Sequence, residues 1–330
     1  MHSIMKTSLA AIAVDNVVKI YRERSSTPVR ALDGLTLEVE HGEIFGLLGR
    51  NGAGKTTLLR ILTTLVEPTS GHVTVMGHDV RSEPYEVRRN ICAVLQENAV
   101  ELYLSVADNL ATYARFHDIP RQQARTRIEK AIGLFGLEED RNRKVIDMSG
   151  GTKRRVQVAK AFIIDTPLMF LDEPTTGMDP ITKRTTLDAL REEAFRGRTV
   201  FLTTHILQEA EELCNRIAII DHGKIVVQGD LRTIRSLASD VVEVSLTFSQ
   251  ITDQLLEELS RLPLLKLTRQ HNSFDFSVRG RERSALDIVT GLAALHPVTE
   301  VEIRRATLED AFLELLGRPA PGTRGEEPVR

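Results

Sequence analysis

A glycine-rich loop between an apolar run and a helix-forming run constrains this chain more than any other feature. The loop spans residues 49–57 with the pattern G-x-x-x-x-G-K-T, directly after EIFGLL and directly before the helix-forming residues TTLLRILTTL. Glycines let backbone N–H groups converge on phosphate oxygens, and the N-terminus of the following helix adds the positive end of its dipole. A strand, this loop and a helix in that order predict a nucleotide-phosphate site.

Two side chains of this loop have predicted roles of their own. Lys55 is expected to reach the β- and γ-phosphates, and the Thr56 hydroxyl is expected to bind Mg²⁺. The alternative is a glycine-rich turn without a ligand, which is disfavoured because a strand and a helix flank the loop. The predicted phosphate-binding residues are Gly49, Arg50, Asn51, Gly52, Ala53, Gly54, Lys55, Thr56 and Thr57.

A second motif, LMFLDE at residues 168–173, consists of four apolar residues that end in two carboxylates. A buried parallel strand whose C-terminal end opens on a ligand site has this pattern. Asp172 suits Mg²⁺ coordination through water, and Glu173 suits a general base for the water that attacks the γ-phosphate. The alternative, a cap on the following helix, is disfavoured by the phosphate loop upstream.

Hydrophobic periodicity divides the chain into regions of different type. Residues 10–77 contain short β-branched runs typical of strands, residues 100–145 have the 3.6 period of helices, and residues 149–230 alternate helix and strand. This order favours a doubly wound α/β core with a β subdomain and a helical subdomain at about 100–150.

The pattern restarts near residue 237. Short strands and helices follow in the order β-α-β-β-α-β-α, which predicts a separate small α+β domain of ferredoxin-like type. The last residues are rich in proline, glycine and charge, so we expect a disordered tail. The predicted boundaries are 1–236 for the first domain, 237–317 for the second and 318–330 for the tail.

Charge and cysteine content narrow the functional classes. The 330 residues include 43 Lys+Arg and 46 Asp+Glu, and this near-neutral balance gives no whole-chain electrostatic reason to bind nucleic acid. Cys92 and Cys214 lack metal-ligand spacing, so we expect buried or neutral thiols in a reducing compartment.

The apolar run Ser8–Val14 is well short of the roughly 20 residues of a membrane span, and Asp15 interrupts it before any cleavage site. Neither a signal peptide nor a membrane span is predicted, so a role at a membrane is expected to depend on a partner.

Five further residues or short motifs give the chain a resemblance to the ATP-binding cassette (ABC) ATPases, over roughly residues 10–230. The motif positions follow the family's order. Tyr21 resembles the aromatic residue that stacks on adenine, and Gln96 in AVLQEN resembles the Q-loop glutamine. Ser149-Gly150-Gly151 resembles the signature, Asp179 in GMDP resembles the D-loop aspartate, and His205 in TTHIL resembles the switch histidine. The resemblance implies a P-loop NTPase core with a β subdomain and a helical subdomain. The signature departs from the usual pattern at Met148, where leucine is common, and at Thr152, where glutamine is common.

The resemblance also implies a mechanism and cofactors. Two identical chains are expected to enclose two ATP molecules with Mg²⁺, because Ser149, Gly150 and Gly151 at a helix N-terminus form an anion site that the opposite subunit's phosphate fills. Catalysis is expected from Glu173 with His205, Lys55 and Gln96. Expected metal ligands are Thr56, Gln96 and Asp172, and the expected nucleotide contacts include Tyr21 and Asp179.

The C-terminal segment narrows the subfamily. Residues 307–318 resemble the closing helix of daunorubicin-resistance exporter ATPases, which pair with ABC-2 type membrane subunits. The same residues also fit a plain amphipathic helix. The leading hypothesis is therefore a homodimeric cytoplasmic ATPase, held at the inner face of the cell membrane by a separate permease that exports a substrate.

Three alternatives remain at this stage. An importer ATPase would share the cassette motifs. A soluble ABC protein acting on ribosomes or DNA is disfavoured because there is one cassette, with no coiled-coil heptads between Gly54 and Ser149. A non-hydrolysing regulator is disfavoured by Glu173 and His205. The transported substrate is not encoded here, since substrate choice lies with the membrane subunit.

The segment Glu97–Leu104 joins the core to the predicted helical subdomain. Its apolar residues are Val100, Leu102, Tyr103 and Leu104. They suit a contact surface for a membrane subunit, or they anchor the helical subdomain to its own core.

Overall fold

The computed structural model describes residues 10–22, 27–96, 100–237, 241–279, 282–305 and 307–317. They form two compact units that divide between Gly229 and Asp230. The predicted tail, residues 318–330, lies outside the described residues, as do residues 97–99 of the connecting segment. Among the described helices, none combines the length and the apolar character that crossing a lipid bilayer requires.

The first unit begins with an antiparallel sheet in the region of short β-branched runs. Its strands, in the spatial order β2-β1-β4-β5, are β1 (Ala10–Tyr21), β2 (Val29–Glu40), β4 (Ser70–Val75) and β5 (His78–Asp79).

A second sheet of the first unit carries the predicted motifs. In the spatial order β10-β9-β3-β8-β7-β6, its strands are β3 (Ile44–Leu48), β6 (Ile91–Val94), β7 (Leu168–Asp172), β8 (Thr199–Thr204), β9 (Arg216–Asp221) and β10 (Lys224–Asp230). The pairs β3–β8, β3–β9, β7–β8 and β6–β7 are parallel. Every residue of β3, β7 and β8 is buried, as expected for parallel strands covered on both faces.

Three aromatic rings fix the three central strands against each other. Phe201 of β8 stacks on Phe45 of β3 and meets Phe170 of β7 edge to face, with both centroid distances at 5.7 Å. Such pairs add about 0.5–1.5 kcal/mol each beyond their burial. These ring contacts join the strands whose ends carry the motifs.

Helices cover this sheet and form the predicted helical subdomain. The helices of the first unit are α1 (Lys55–Leu62), α2 (Pro84–Arg89), α3 (Val106–Phe116), α4 (Arg121–Leu134), α5 (Gly150–Ala161), α6 (Pro180–Phe195) and α7 (Leu207–Leu213). Ser105 begins α3 as an N-cap, accepting a hydrogen bond from the Asp108 amide at 3.1 Å. The helices α3 and α4 lie inside the predicted range 100–150.

The second unit begins with a helix that was not predicted, and from its first strand on it has the predicted order of strands and helices. Its elements are α8 (Leu231–Leu237), β11 (Val241–Phe248), α9 (Asp253–Arg261), β12 (Leu264–Gln270), β13 (Ser273–Arg279), α10 (Glu282–Leu295), β14 (Val298–Arg305) and α11 (Leu308–Gly317). The sheet order β12-β13-β11-β14, antiparallel throughout, is the ferredoxin-like arrangement. Its core packs Phe248, Phe274 and Phe276 of the sheet against Leu255 and Leu259 of α9.

Candidate nucleotide site

Three loops converge at the carboxyl edge of the parallel sheet. The register of β3 on β8 places Leu48 opposite Thr204, and the register of β7 on β8 places Asp172 opposite Thr203. The strands β3, β8 and β7 are neighbours, so the segments that follow them meet at one edge. These segments carry the phosphate loop, Glu173 and His205.

The phosphate loop turns from β3 into α1 through glycines, and two of them, Gly49 and Gly54, have no room for a side chain. A Cβ on Gly49 would lie 2.5 Å from the Ile220 carbonyl oxygen, and a Cβ on Gly54 would lie 2.7 Å from the Ala31 carbonyl oxygen. Gly54 also has φ 113°, which L-residues rarely adopt. The loop therefore leads directly into the first turn of α1, whose N–H groups have no partner within the helix.

Lys55 is buried at the start of α1. Its ammonium donates to the carbonyl oxygens of Gly49 at 2.7 Å and Arg50 at 3.2 Å. Burial lowers the pKa of Lys55, and the charges of Glu173 and Asp172 act in the opposite direction. A cation thus lies inside the loop, within electrostatic range of both motif carboxylates.

Asp172 and Thr56, two of the predicted Mg²⁺ ligands, lie close together. Asp172 is 1% exposed. One carboxylate oxygen accepts a hydrogen bond from the Thr203 hydroxyl, and the other is 3.4 Å from the Thr56 hydroxyl. These bonds fix the carboxylate beside the first turn of α1.

Glu173 contacts His205, with Nδ1 of the histidine 3.0 Å from the carboxylate oxygen Oε1. The Glu173 backbone is in the left-handed region, at φ 52°, a conformation that costs roughly 1–2 kcal/mol for an L-residue. Its N–H donates to the Thr203 carbonyl at 3.0 Å. The strained backbone therefore needs support from neighbouring segments.

Part of this support comes from Arg154 of α5, whose guanidinium donates to the carbonyl oxygens of Asp172 and Glu173. Burial lowers the Arg154 pKa, against the effect of the two carboxylates. Its Nε has no hydrogen-bond partner among the described residues. A buried donor without a partner costs about 1–3 kcal/mol.

The signature residues begin α5. Ser149 is its N-cap, accepting from the Thr152 amide at 3.2 Å, as the sequence predicts. Ser149 and Gly150 are exposed. Gly151 packs on the Gly177 backbone so closely that a Cβ would lie 2.1 Å from the Gly177 oxygen. The signature and the D-loop segment are therefore packed together within one chain.

Two cavities border these groups. One of about 310 Å³ has Gln96, Gly150, Arg154 and Glu173 in its wall. Another of about 240 Å³ is lined by Thr56, Arg60, Leu95 and Gln96. Gln96 thus lines both cavities, one together with Thr56 and the other together with Glu173.

Other predicted site residues lie outside this cluster. Asp179 is the N-cap of α6, accepting from the Ile181 and Thr182 amides at 3.0 Å. Tyr21 ends β1, with the Lys19 ammonium 5.1 Å from its ring centroid. Among the described residues, no hydrogen bond or ring contact joins Tyr21 or Asp179 to the phosphate loop. Arg50, Asn51 and Gly52 are exposed, Ala53 is buried and Thr57 is partly buried.

Sequence reasoning missed Arg154 and Thr203. Arg154 lies in the run KRRVQVAK, where a charged residue on a helix is usually solvated. Its position four residues after Gly150 is a usable signal, since residues four apart share a helix face. The predicted buried thiols, Cys92 and Cys214, are both buried and free, and burial raises their pKa.

Comparisons with known proteins place this geometry in a family. The family model "ABC transporter" matches residues 32–176. The daunorubicin/doxorubicin resistance ATP-binding protein DrrA of Streptomyces peucetius is 36% identical, over 96% of this chain and 96% of that protein. A Nod factor export ATP-binding protein I of Cupriavidus metallidurans is 36% identical, over 94% of this chain and 98% of that protein.

Solved structures give the same assignment. The ATP-binding cassette MJ0796, in a dimeric post-hydrolysis state bound to ADP and Pi, has a TM-score of 0.62 and 26% identity, over 67% of this chain and 99% of that one. An ATP-binding subunit of an ABC transporter also has a TM-score of 0.62, with 27% identity over 68% of this chain and 92% of that one. The predicted cassette fold is confirmed. The chain belongs to the ABC transporter family of ATP-binding proteins.

Proposed function

We propose that this chain is the ATP-hydrolysing subunit of an ABC exporter, which dimerises around two ATP molecules and drives a separate membrane permease of ABC-2 type. The observation that carries the hydrolytic part is the contact between Glu173 and His205 beside the phosphate loop. Support for export comes from relatives named for drug resistance and for Nod factor export, which favours an exporter over an importer.

Each residue of the cluster has a proposed role in hydrolysis. The loop N–H groups and Lys55 bind the β- and γ-phosphates, with Lys55 leaving its two carbonyl partners to do so. Glu173 accepts the proton of the attacking water, and His205 orients the Glu173 carboxylate through Nδ1 and faces the γ-phosphate.

The residues beside Thr56 fit Mg²⁺ that is bound together with nucleotide phosphates. Mg²⁺ prefers oxygen ligands and is usually held by one or two protein groups plus phosphates. Thr56, Asp172 and Gln96 supply a hydroxyl, a carboxylate and an amide oxygen. The described residues include no group of three or more His, Cys, Asp or Glu that could hold a metal, which agrees with a site that needs the nucleotide. When bound, Mg²⁺ supplies positive charge against the phosphate oxygens.

The signature is proposed to act on the partner's nucleotide. Ser149, Gly150 and Gly151 present a hydroxyl and N–H groups at the start of α5, and Ser149 and Gly150 are exposed. Tyr21 is proposed to stack on adenine. Asp179, already the cap of α6, is proposed to contact nucleotide across the dimer.

The two units have separate proposed roles. The first unit, for which the sequence predicts the range 1–236, forms the ATP-binding domain, and the second, for which it predicts 237–317, forms an accessory domain. The two units divide earlier than predicted, between Gly229 and Asp230. The permease holds the dimer at the inner face of the cell membrane. The transported substrate is a property of that permease.

Mixed dimers test the shared sites. Glu173→Gln should bind ATP but turn over roughly 10²–10⁴-fold more slowly, the usual contribution of a general base. Ser149→Arg should also bind ATP and fail to hydrolyse it. In a dimer of one variant of each kind, one site combines an intact Glu173 with an intact Ser149 only if these residues come from different chains.

The measurement is ATPase activity of heterodimers purified through two different affinity tags. Activity well above that of either homodimeric variant supports the shared site. A purified heterodimer that is as inactive as its parents would contradict it, and wild-type turnover by Glu173→Gln would reassign the general base.

A further inference from the structure

We infer that Arg154 is a positioning residue for the general base, and that it couples the signature helix α5 to the catalytic segment of its own chain. The inference rests on the proposed shared-site function. It concerns a residue outside the motifs that identified the family. Four observations carry it.

The first is the set of main-chain atoms that Arg154 contacts. Its Nη2 donates to the carbonyl oxygens of Asp172 and, at 3.3 Å, Glu173. Its Nη1 donates to the carbonyl oxygen of Leu95 at 3.0 Å. Leu95 directly precedes Gln96, so one guanidinium joins the segment that carries Gln96 to the segment that carries Glu173.

The second observation is how firmly the guanidinium is held. Arg154 is 8% exposed. Gln157, one turn later on α5, accepts a hydrogen bond from Nη1 at 2.6 Å. A planar fork held by its own helix can align several donors at once, which a lysine ammonium cannot do.

The third observation is the conformation that Arg154 supports. Glu173 has φ 52°, in the left-handed region. Its N–H is held by Thr203 of β8, and its carbonyl is held by Arg154 of α5. Loss of the second contact releases the peptide toward an ordinary conformation, and the carboxylate then loses its place opposite His205.

The fourth observation is the position of Arg154 on α5. The helix begins at Gly150, in the signature proposed to serve the partner's nucleotide. Arg154 follows four residues later on the same face and lines the same cavity as Gly150 and Glu173. One continuous helix therefore connects the phosphate contact at one site with the general base at the other.

The first test compares kinetics of homodimers. Arg154→Met should lower kcat about 10-fold or more while the dissociation constant for ATP stays within about twofold, because the phosphate loop is untouched. Arg154→Lys, which keeps the charge without the fork, should be intermediate. If Arg154→Met fails to fold, the same comparison is made with Arg154→Lys.

Arg198→Met is the matched control. Arg198 is also 8% exposed, and it donates to the Thr166 carbonyl and to Glu193, both at 2.8 Å, with no described contact to Glu173. It should lower the melting temperature and leave kcat of the folded dimer unchanged. A purely structural role for Arg154 predicts the Arg198 pattern instead, and that result would overturn the inference.

The second test asks which site Arg154 serves. In the trans arrangement, one subunit carries Arg154→Met and the other subunit carries Ser149→Arg. One of the two sites then keeps both an intact signature and an undisturbed Glu173. In the cis arrangement, one subunit carries both changes, and no site keeps both. We expect the trans heterodimer to be about 10-fold more active than the cis heterodimer, matching the kcat loss of the homodimer.

A cis heterodimer that is more active than the trans heterodimer would mean that Arg154 supports only the signature of its own helix. Equal activities of the two heterodimers would mean that Arg154 serves neither site. Both results overturn the inference. The Glu173→Gln and Ser149→Arg heterodimer separates this failure from failure of the shared site. If that heterodimer is inactive, the shared site fails, and the homodimer kinetics alone decide the role of Arg154.

Discussion

At the scale of single residues, Lys55 shows how the phosphate loop is prepared for an anion. The ammonium is buried and bonded to two loop carbonyls, and burial lowers its pKa. The folded state therefore bears a cost for the protonated form, present at neutral pH and relieved as pH rises through the lowered pKa. A nucleotide phosphate offsets this cost, so the buried ammonium of Lys55 is more stable with nucleotide bound than without it.

Lys55→Ala is expected to weaken ATP binding about 10- to 100-fold, because a hydrogen bond to a charged group contributes about 1.5–3 kcal/mol. Equilibrium binding of labelled ATP measures this loss. The melting temperature without ATP serves as the control for folding. Unchanged affinity in a folded variant would contradict the assignment of the phosphate loop.

The residue scale also shows what a sequence can predict. The assignment of Thr56 and Asp172 to one Mg²⁺ site followed from motif chemistry, and their side-chain oxygens lie 3.4 Å apart, although β8 separates β3 from β7. The support of Glu173 by Arg154 did not follow. A charged helix residue is normally solvated, and its burial here depends on how α5 packs against the ends of β6 and β7.

At the scale of elements, a buried carboxylate on α7 connects the segments around the site. Glu209 accepts hydrogen bonds from the Thr175 hydroxyl at 2.5 Å and the Thr204 hydroxyl at 3.2 Å. Lys183 of α6 pairs with it at 2.9 Å. Thr204 precedes His205, so this one carboxylate connects α6 and α7 to the segment that carries His205.

Glu209→Gln is expected to lower the free energy of unfolding by about 1–3 kcal/mol, since an amide cannot accept from all three donors and leaves Lys183 without its counter-charge. Chemical denaturation measures the change. Adding Lys183→Met should recover part of the loss, because it removes the unpaired cation.

The same two helices provide a control pair. Arg184 of α6 and Glu212 of α7 are 3.6 Å apart and largely exposed, so Glu212→Gln should change stability by no more than about 1 kcal/mol. Equal losses for Glu209→Gln and Glu212→Gln would show that burial does not distinguish the two pairs.

At the scale of the whole molecule, periodicity predicted the alternation of helix and strand over residues 149–230 and the order of elements from β11 on, since strand and helix periods differ. It did not predict the short helices α2 and α8. It did not predict how the cap residues are used. Asp179 was assigned to nucleotide, yet in the single chain its carboxylate caps α6. A role across a dimer adds to that capping role, and no pattern within one chain distinguishes the two.

The connecting segment before α3 illustrates how the structure separates two interpretations of one sequence. The Leu102 and Leu104 carbonyls accept from the Ile146 and Val145 amides at 2.8 and 3.1 Å, which anchors the backbone. Tyr103, between them, is 76% exposed. The backbone on either side and the buried side chain of Val100 anchor the segment, and the Tyr103 ring is available for a partner.

Tyr103→Ala is expected to leave the melting temperature and basal ATPase activity of the isolated dimer unchanged, because the ring packs little against its own chain. With the permease co-expressed, membrane recruitment and transport should be lost, since an exposed aromatic at an anchored position is suited to be a contact point. Phe195→Ala is the control for loss of an exposed aromatic ring elsewhere on the chain, because Phe195 is 93% exposed at the end of α6. A Tyr103→Ala dimer that melts earlier and loses basal ATPase would mean that the ring stabilises its own chain, and recruitment equal to that of Phe195→Ala would exclude a contact with the permease.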